Sequence, residues 1–184
     1  MVREKSRVGF IGASDTKYVM GNWKTKTFKN WWDTKLGVSE IDADNIYTRA
    51  GNAYEGRILD YLGISDRDRQ ILIGRLRVNL DGETEDCVVE IKTHKFDKPF
   101  KLPKHYYQQV QVELYATNKR IGLLYAYGLL PSEYEEYGEI DPNRLEVCII
   151  PYDEDFIAEY LPRMLYLGKC IEEGRMPDES ELNQ

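Results

Sequence analysis

Three cysteines in 184 residues, Cys87, Cys148 and Cys170, are too few and too widely separated to frame a disulfide scaffold or a zinc or iron–sulfur cluster. The two histidines, His94 and His105, fall on segments expected to form different elements, so a histidine-ligated metal is not indicated. No apolar run approaches the roughly 20 residues that cross a bilayer. The charged opening Met1-Val2-Arg3-Glu4-Lys5 has no signal-peptide core, and the expectation is a cytoplasmic protein with no membrane partner. Repeats and low-complexity linkers are absent, which predicts a single domain over residues 1–184, with a core of about 7–174 and a loose tail at 175–184. Positive charge is short as well: 25 Lys and Arg stand against 32 Asp and Glu, a formal −7. Such a balance argues against a polyanionic partner.

The charge is unevenly spread. Residues 1–35 carry eight basic and three acidic side chains, net +5; residues 36–130 carry 13 and 14, net −1; residues 131–184 carry four and 15, net −11. The N-terminal part is therefore locally basic, and screening over about 8–10 Å at physiological salt limits what a distant acidic face does to it. Within it, Trp23-Lys24-Thr25-Lys26-Thr27-Phe28-Lys29-Asn30-Trp31-Trp32 interleaves aromatics with lysines. Cations such as Lys24 and Lys26 can track a phosphate backbone while rings stack on bases, although Phe28 and Trp31, three apart, also suit a core-facing stripe.

Hydropathy patterning predicts an α/β fold, a mixed central sheet flanked by helices. Helices are expected near 15–20, 26–36, 46–62, 105–118 and 153–173, and strands near 71–80, 87–93, 121–128 and 144–150. Pro131 to Pro142 reads as an exposed loop, and Pro162 should kink or interrupt the last helix. Gly82 among acidic residues is a turn signal, so 75–80 and 87–93 are expected to pair as an antiparallel hairpin. Alternation then puts Val88, Glu90 and Lys92 on one face and Val89, Ile91 and Thr93 on the other. A Glu-x-Lys pair in a Val- and Ile-rich strand is either an ordinary solvated pair or a charged group matched by a partner or a metal. Oxygen ligands without thiolate or imidazole suit Mg²⁺, with Mn²⁺ as a substitute, rather than Zn²⁺.

Two further segments carry polar groups beside apolar stripes. Tyr47, Ala50, Tyr54, Ile58 and Leu62 form a helical stripe with Glu55 at its margin, and in His105 to Tyr115 the residues Gln108, Gln111 and Tyr115 share a face. Ser14 or Asp15 is placed to cap a helix through Met20, and a helix N-terminus favours anions.

Taken together and in order, Arg7-Val8-Gly9-Phe10-Ile11-Gly12-Ala13-Ser14-Asp15, Gly51 to Glu55, Asp81-x8-Glu90-Ile91-Lys92-Thr93 and Tyr107-Gln108-Gln109-Val110-Gln111 resemble the PD-(D/E)XK nucleases. Within that superfamily the chain resembles the lambda-exonuclease or YqaJ-type viral recombinase group, from Arg7 to about Tyr127. The resemblance implies a restriction-endonuclease-like core, with Asp81, Glu90 and the Ile91 carbonyl holding Mg²⁺, Lys92 as the motif lysine and Glu55 as the helical acid. Gln111 and Tyr115 fit a Gln-x-x-x-Tyr pattern, with Gln111 positioning water and Tyr115 and Gln109 near DNA. Arg7 and Ser14 look like a 5′-phosphate pocket. A departure is Leu80, where a proline often precedes the motif aspartate. The implied activity is 5′-to-3′ exonuclease digestion of double-stranded DNA ends in phage-type recombination, in a bacterial host, as a homotrimer with a single-strand annealing protein as partner. A structure-specific or restriction-like endonuclease and a non-catalytic DNA-end adaptor are the alternatives.

Overall fold

The computed structural model describes residues 8–40 and 44–183, so Arg7 lies outside the described residues. The elements in chain order are β1 (Ile11–Gly12), α1 (Thr16–Val19), α2 (Lys26–Lys35), α3 (Ile46–Tyr61), β2 (Asp66–Arg67), β3 (Gln70–Ile73), β4 (Leu76–Asn79), β5 (Gly82–Glu83), β6 (Cys87–Lys95), α4 (Lys104–Thr117), β7 (Ile121–Leu129), β8 (Leu145–Pro151) and α5 (Glu154–Glu173). They form two mixed sheets flanked by helices: a five-stranded one ordered β2-β5-β6-β7-β8 and a three-stranded one ordered β1-β4-β3. β6 and β7 run parallel over nine residues, joined by α4 as a crossover. β8 returns antiparallel to β7.

Both faces of β6 are covered, which is why Val88, Val89, Glu90 and Ile91 are buried one after another. Val88 joins Val110, Val112 and Leu114 of α4 in the larger core, with Leu124, Ala126, Met164 and Leu167. Val89 and Ile91 point the other way, onto Ala50, Tyr54 and Ile58 of α3. The expected alternation along β6 therefore holds.

The expected hairpin between 75–80 and 87–93 does not form. The 71–80 segment is itself a hairpin, with β3 against β4 around Gly74 at φ +56°, and it belongs to the three-stranded sheet. The chain changes sheets at Leu80-Asp81, and β5 pairs with β6 through Gly82↔Val89. Gly82 is needed there for close packing rather than for a turn, since a Cβ would stand 2.9 Å from both Leu59 Cδ2 and Ile64 Cγ2.

Other expectations also shift. Pro162 lies inside an uninterrupted α5, which Tyr160, Met164 and Leu167 anchor in the core on both sides of it. The segment after Pro131 is fastened to the fold: Glu133 is buried and paired with Arg144, and the Tyr54 and Tyr127 hydroxyls accept from the Gly138 and Asp141 amides. The tail at 175–183 is tied down too, through Trp32 Nε1 to the Arg175 carbonyl (3.1 Å), Arg163 to Glu179 (3.0 Å) and Arg175 to Glu181 (2.8 Å). No helix among the described residues is long and apolar enough to cross a membrane.

Candidate active site

The acidic groups converge where the two sheets part. Asp81 sits on the link between β4 and β5, and its Oδ2 accepts from the Ile91 amide at 2.9 Å. This bond lies just beyond the end of β5, and it fixes the Asp81 carboxylate against the middle of β6. Glu90 is 1% exposed and points to the α4 side. Its Oε1 receives both the Lys92 ammonium, 2.6 Å, and the Gln109 amide nitrogen, 2.6 Å, while Oε2 is buried without a partner. Lys92 also lies over the Tyr106 ring, 5.1 Å from its centroid.

Crowded carboxylates make the site electrostatically loaded. Burial pushes Asp81 well above the ordinary aspartate range, and the Glu90 and Glu55 charges push it further. Glu55 is raised as well, by burial first and then by Glu90 and Asp68. Burial works against the Lys92 ammonium, but Glu90, Asp81 and Glu113 outweigh it and hold the lysine protonated above its usual value. Asp81, Glu90, Lys92, Ile91 and Glu55 are thus brought into one neighbourhood.

The glutamines are distributed differently from the expectation. Gln111 is fully buried on another side of α4, where its Nε2 donates to the Pro151 carbonyl and its Oε1 accepts from the Asp153 amide, each at 2.8 Å. It fastens the β8–α5 connection, and the amide that meets the carboxylates is that of Gln109. The physical reason is rotation: residues two apart on a helix lie about 200° apart. Tyr115 packs half-buried against the core. Sequence reasoning also missed Glu113, fully buried and one helical turn beyond Gln109; its Oε1 accepts from Gln109 Nε2 at 2.8 Å and its Oε2 has no partner. Burial, then Glu90 and Asp81, raise Glu113 well above the usual range. The i, i+4 spacing of Gln109 and Glu113 was the available signal.

Ser14 is exposed; Asp15 occupies the N-cap position of α1, but its side chain makes no capping bond there. Asp15 turns inward instead, accepting from the Gly12 amide at 2.8 Å and Trp31 Nε1 at 3.0 Å and pairing with buried Lys35 at 2.5 Å. Ser14, Lys35, Arg77, Asn79 and Gln109 line a small cavity of about 60 Å³. It adjoins a larger groove of about 470 Å³ along α2, lined by Ser14, Lys17, Tyr18, Thr27 and Asn30 among others. Lys24 and Lys26 are exposed, but Trp23, Phe28, Trp31 and Trp32 are core residues, so these rings are not open for stacking on bases. His94 and His105 do not meet; His105 stands near Lys17 and Lys92, and burial and both charges lower its pKa.

The donor chemistry fits a hard divalent cation. Among the described residues no three acidic, histidine or cysteine side chains already form a ready ligand set. Mg²⁺ does not require one, because it uses one or two carboxylates and keeps several waters. Two buried carboxylate oxygens without partners, Glu90 Oε2 and Glu113 Oε2, amid mutually repelling acids are what such a cation relieves.

Compared by sequence, the chain matches no family model and no curated protein. Compared by structure, it is similar to an alkaline exonuclease from Laribacter hongkongensis, with a TM-score of 0.67 and 19% identity over 96% of this chain and 91% of that one. The same exonuclease in complex with dAMP gives a TM-score of 0.64 at 19% identity, again over 96% and 91% of the two chains. A phage related exonuclease from Haemophilus somnus 129PT gives 0.67 at 13% identity, over 89% and 94%. The protein has the fold of these exonucleases, as the resemblance in its motifs implied.

Proposed function

We propose that the protein is a Mg²⁺-dependent deoxyribonuclease that digests double-stranded DNA from a 5′ end. The observation that carries this reading is the meeting of Asp81, Glu90, Lys92 and Glu55 at the junction of the two sheets, beside a cavity with Ser14, Lys35 and Arg77 on its wall. The exonuclease identity of the proteins that share the fold, one of them with dAMP, supports it.

Asp81, Glu90 and the Ile91 carbonyl would hold Mg²⁺, which supplies an acidified water and neutralises phosphate charge. Lys92, kept as an ammonium, donates to a phosphate oxygen or orients the nucleophile. Glu55, raised by burial and then by Glu90 and Asp68, is a stronger base than an ordinary glutamate when ionised and in that form is suited to take a proton from water. Gln109 holds Glu90 Oε1 in place. The cavity at Ser14, Lys35 and Arg77 takes the 5′-phosphate, and the groove past Lys17 with Lys24 and Lys26 accepts the strand. The acidic tail comes close to one end of this surface, where the Lys24 charge acts on Asp178. In the full reading the enzyme acts as a homotrimer inside a bacterial host, generating single strands for an annealing protein during phage-type recombination.

The test is digestion of linear duplex with or without one 5′-phosphate, beside a closed circle, in Mg²⁺ and in EDTA. We expect metal-dependent loss of the 5′-phosphorylated strand, an intact circle, and a drop of about a hundredfold or more in Asp81→Asn and Lys92→Ala. A cut circle would make the protein an endonuclease, and end binding without cleavage would make it an adaptor.

A further inference from the structure

The Gln109 amide nitrogen has two N–H groups, and both are committed: one to Glu90 Oε1 at 2.6 Å, the other to Glu113 Oε1 at 2.8 Å. Turning the amide over would set its carbonyl oxygen between two carboxylates. Glu113 on the far side therefore doubles the penalty for the wrong orientation. The consequence reaches Glu90. With Gln109 and Lys92 both on Oε1, the carboxylate is held so that Oε2 is the oxygen left without a partner. Glu113 itself is 0% exposed and touches no open surface.

We infer that Glu113 is a positioning residue: through Gln109 it fixes the rotation of Glu90 and so keeps Glu90 Oε2 open to the divalent cation. Its role is as an acceptor for the Gln109 amide, which an uncharged amide oxygen can also supply. The inference rests on the nuclease reading for its activity readout, and cation binding tests it separately.

Three variants discriminate, each assayed for hydrolysis of linear duplex and for the rise in melting temperature caused by Mn²⁺ alone. Glu113→Gln keeps an acceptor and should retain at least about a third of kcat and the whole Mn²⁺ shift. Glu113→Leu removes the acceptor along with a buried carboxylate. It should lose about 10- to 100-fold in kcat with KM changed less than about threefold, and show a reduced Mn²⁺ shift. Gln109→Leu should match it, and the double variant should be no worse than either single one. Should the leucine variant fail to fold, Glu113→Met takes its place. Full activity in Glu113→Leu would make Glu113 a spectator, and equal loss in Glu113→Gln would show that its charge, not its acceptor, is required; either overturns the inference. If wild type hydrolyses no DNA, the nuclease reading fails, and the Mn²⁺ shifts of the variants alone decide the role of Glu113.

Discussion

Replacing Gly122 by alanine should displace α4, because a Cβ at this position would stand 2.3 Å from Val110 Cγ1. Carbon atoms attract at roughly 3.5–4.0 Å, so the contact is more than 1 Å too short. Gly122 is in register with Val88 on β6 and with Ile150 on β8, so the sheet beneath it has no free edge through which to yield. Either Val110 leaves its rotamer or the helix lifts, and overpacking of this kind costs about 1–3 kcal/mol. Alanine recovers about 0.5–1 kcal/mol through its smaller backbone entropy loss, leaving a net destabilisation of roughly 0–2.5 kcal/mol. Val110→Ala alone should cost about 1–3 kcal/mol by opening a void. Combined, the two changes compensate, since the new methyl fills the vacated space, and the double variant should lose at least about 1 kcal/mol less than the sum. Urea denaturation in EDTA, with an unchanged m-value as the sign of an intact two-state transition, measures all four corners of the cycle. Because Val110 neighbours Gln109, the single Gly122→Ala variant should also lose hydrolysis at temperatures where it is folded, and the double variant should regain it. An additive cycle, within about 0.5 kcal/mol, would refute the reasoning.

Asp81 and Glu113 both have raised values, so the folded state holds protons that the unfolded state releases. Their contribution is complete below the unfolded carboxyl values of about 4, declines as pH rises towards the folded values, and is flat beyond them. Acids with lowered values, such as Glu133 and Asp153, already give their full share above about pH 5. In EDTA the melting temperature should therefore fall as pH rises from 5 through neutrality. Asp81→Asn with Glu113→Gln should flatten that slope, Mg²⁺ should offset it most at the alkaline end, and a slope unchanged in the double variant counts against the assignment. Gln111→Leu should behave oppositely to the Gln109 variant: with the Pro151 carbonyl and Asp153 amide left unpaired it should lose about 2–4 kcal/mol in urea titration, while its kcat at a permissive temperature stays near wild type.

What was legible in the sequence follows from how each element is buried. β6 could be read residue by residue, because a strand's two faces are fixed by alternation alone, and Glu90 and Lys92 had to share the side of Val88. The break between the sheets at Leu80-Asp81 could not. A glycine beside acidic residues signals a turn, and it equally permits close approach; only the positions of Leu59 and Ile64, about 20 residues earlier in the chain, decide which applies. That Pro162 does not interrupt α5 is illegible for a related reason. The lost hydrogen bond is local, whereas the contacts that keep α5 continuous are tertiary: Arg163 donates to the Val19 carbonyl at 2.7 Å and the Gly21 carbonyl at 3.0 Å, on a segment about 140 residues away.

α4 presents the sharpest case. Gln108, Gln109, Val110, Gln111, Val112, Glu113 and Leu114 are all buried, so the helix has no solvated face from which its orientation could be inferred. Without one, the choice among three glutamines rested on motif spacing, and that pointed to Gln111. Burial on all sides nonetheless carries information of its own. A buried amide or carboxylate must find a partner, so a helix with polar side chains all round joins separate parts of the fold through those pairs. Gln111 ties the β8–α5 connection to α4, while Gln109 and Glu113 tie the same helix to Glu90 on β6. The packing of α4 on the sheet and the orientation of the Glu90 carboxylate are therefore set by one rigid element. That is why a single methyl at Gly122, on the strand next to β6, is expected to be felt in the chemistry of the site as well as in the stability of the fold.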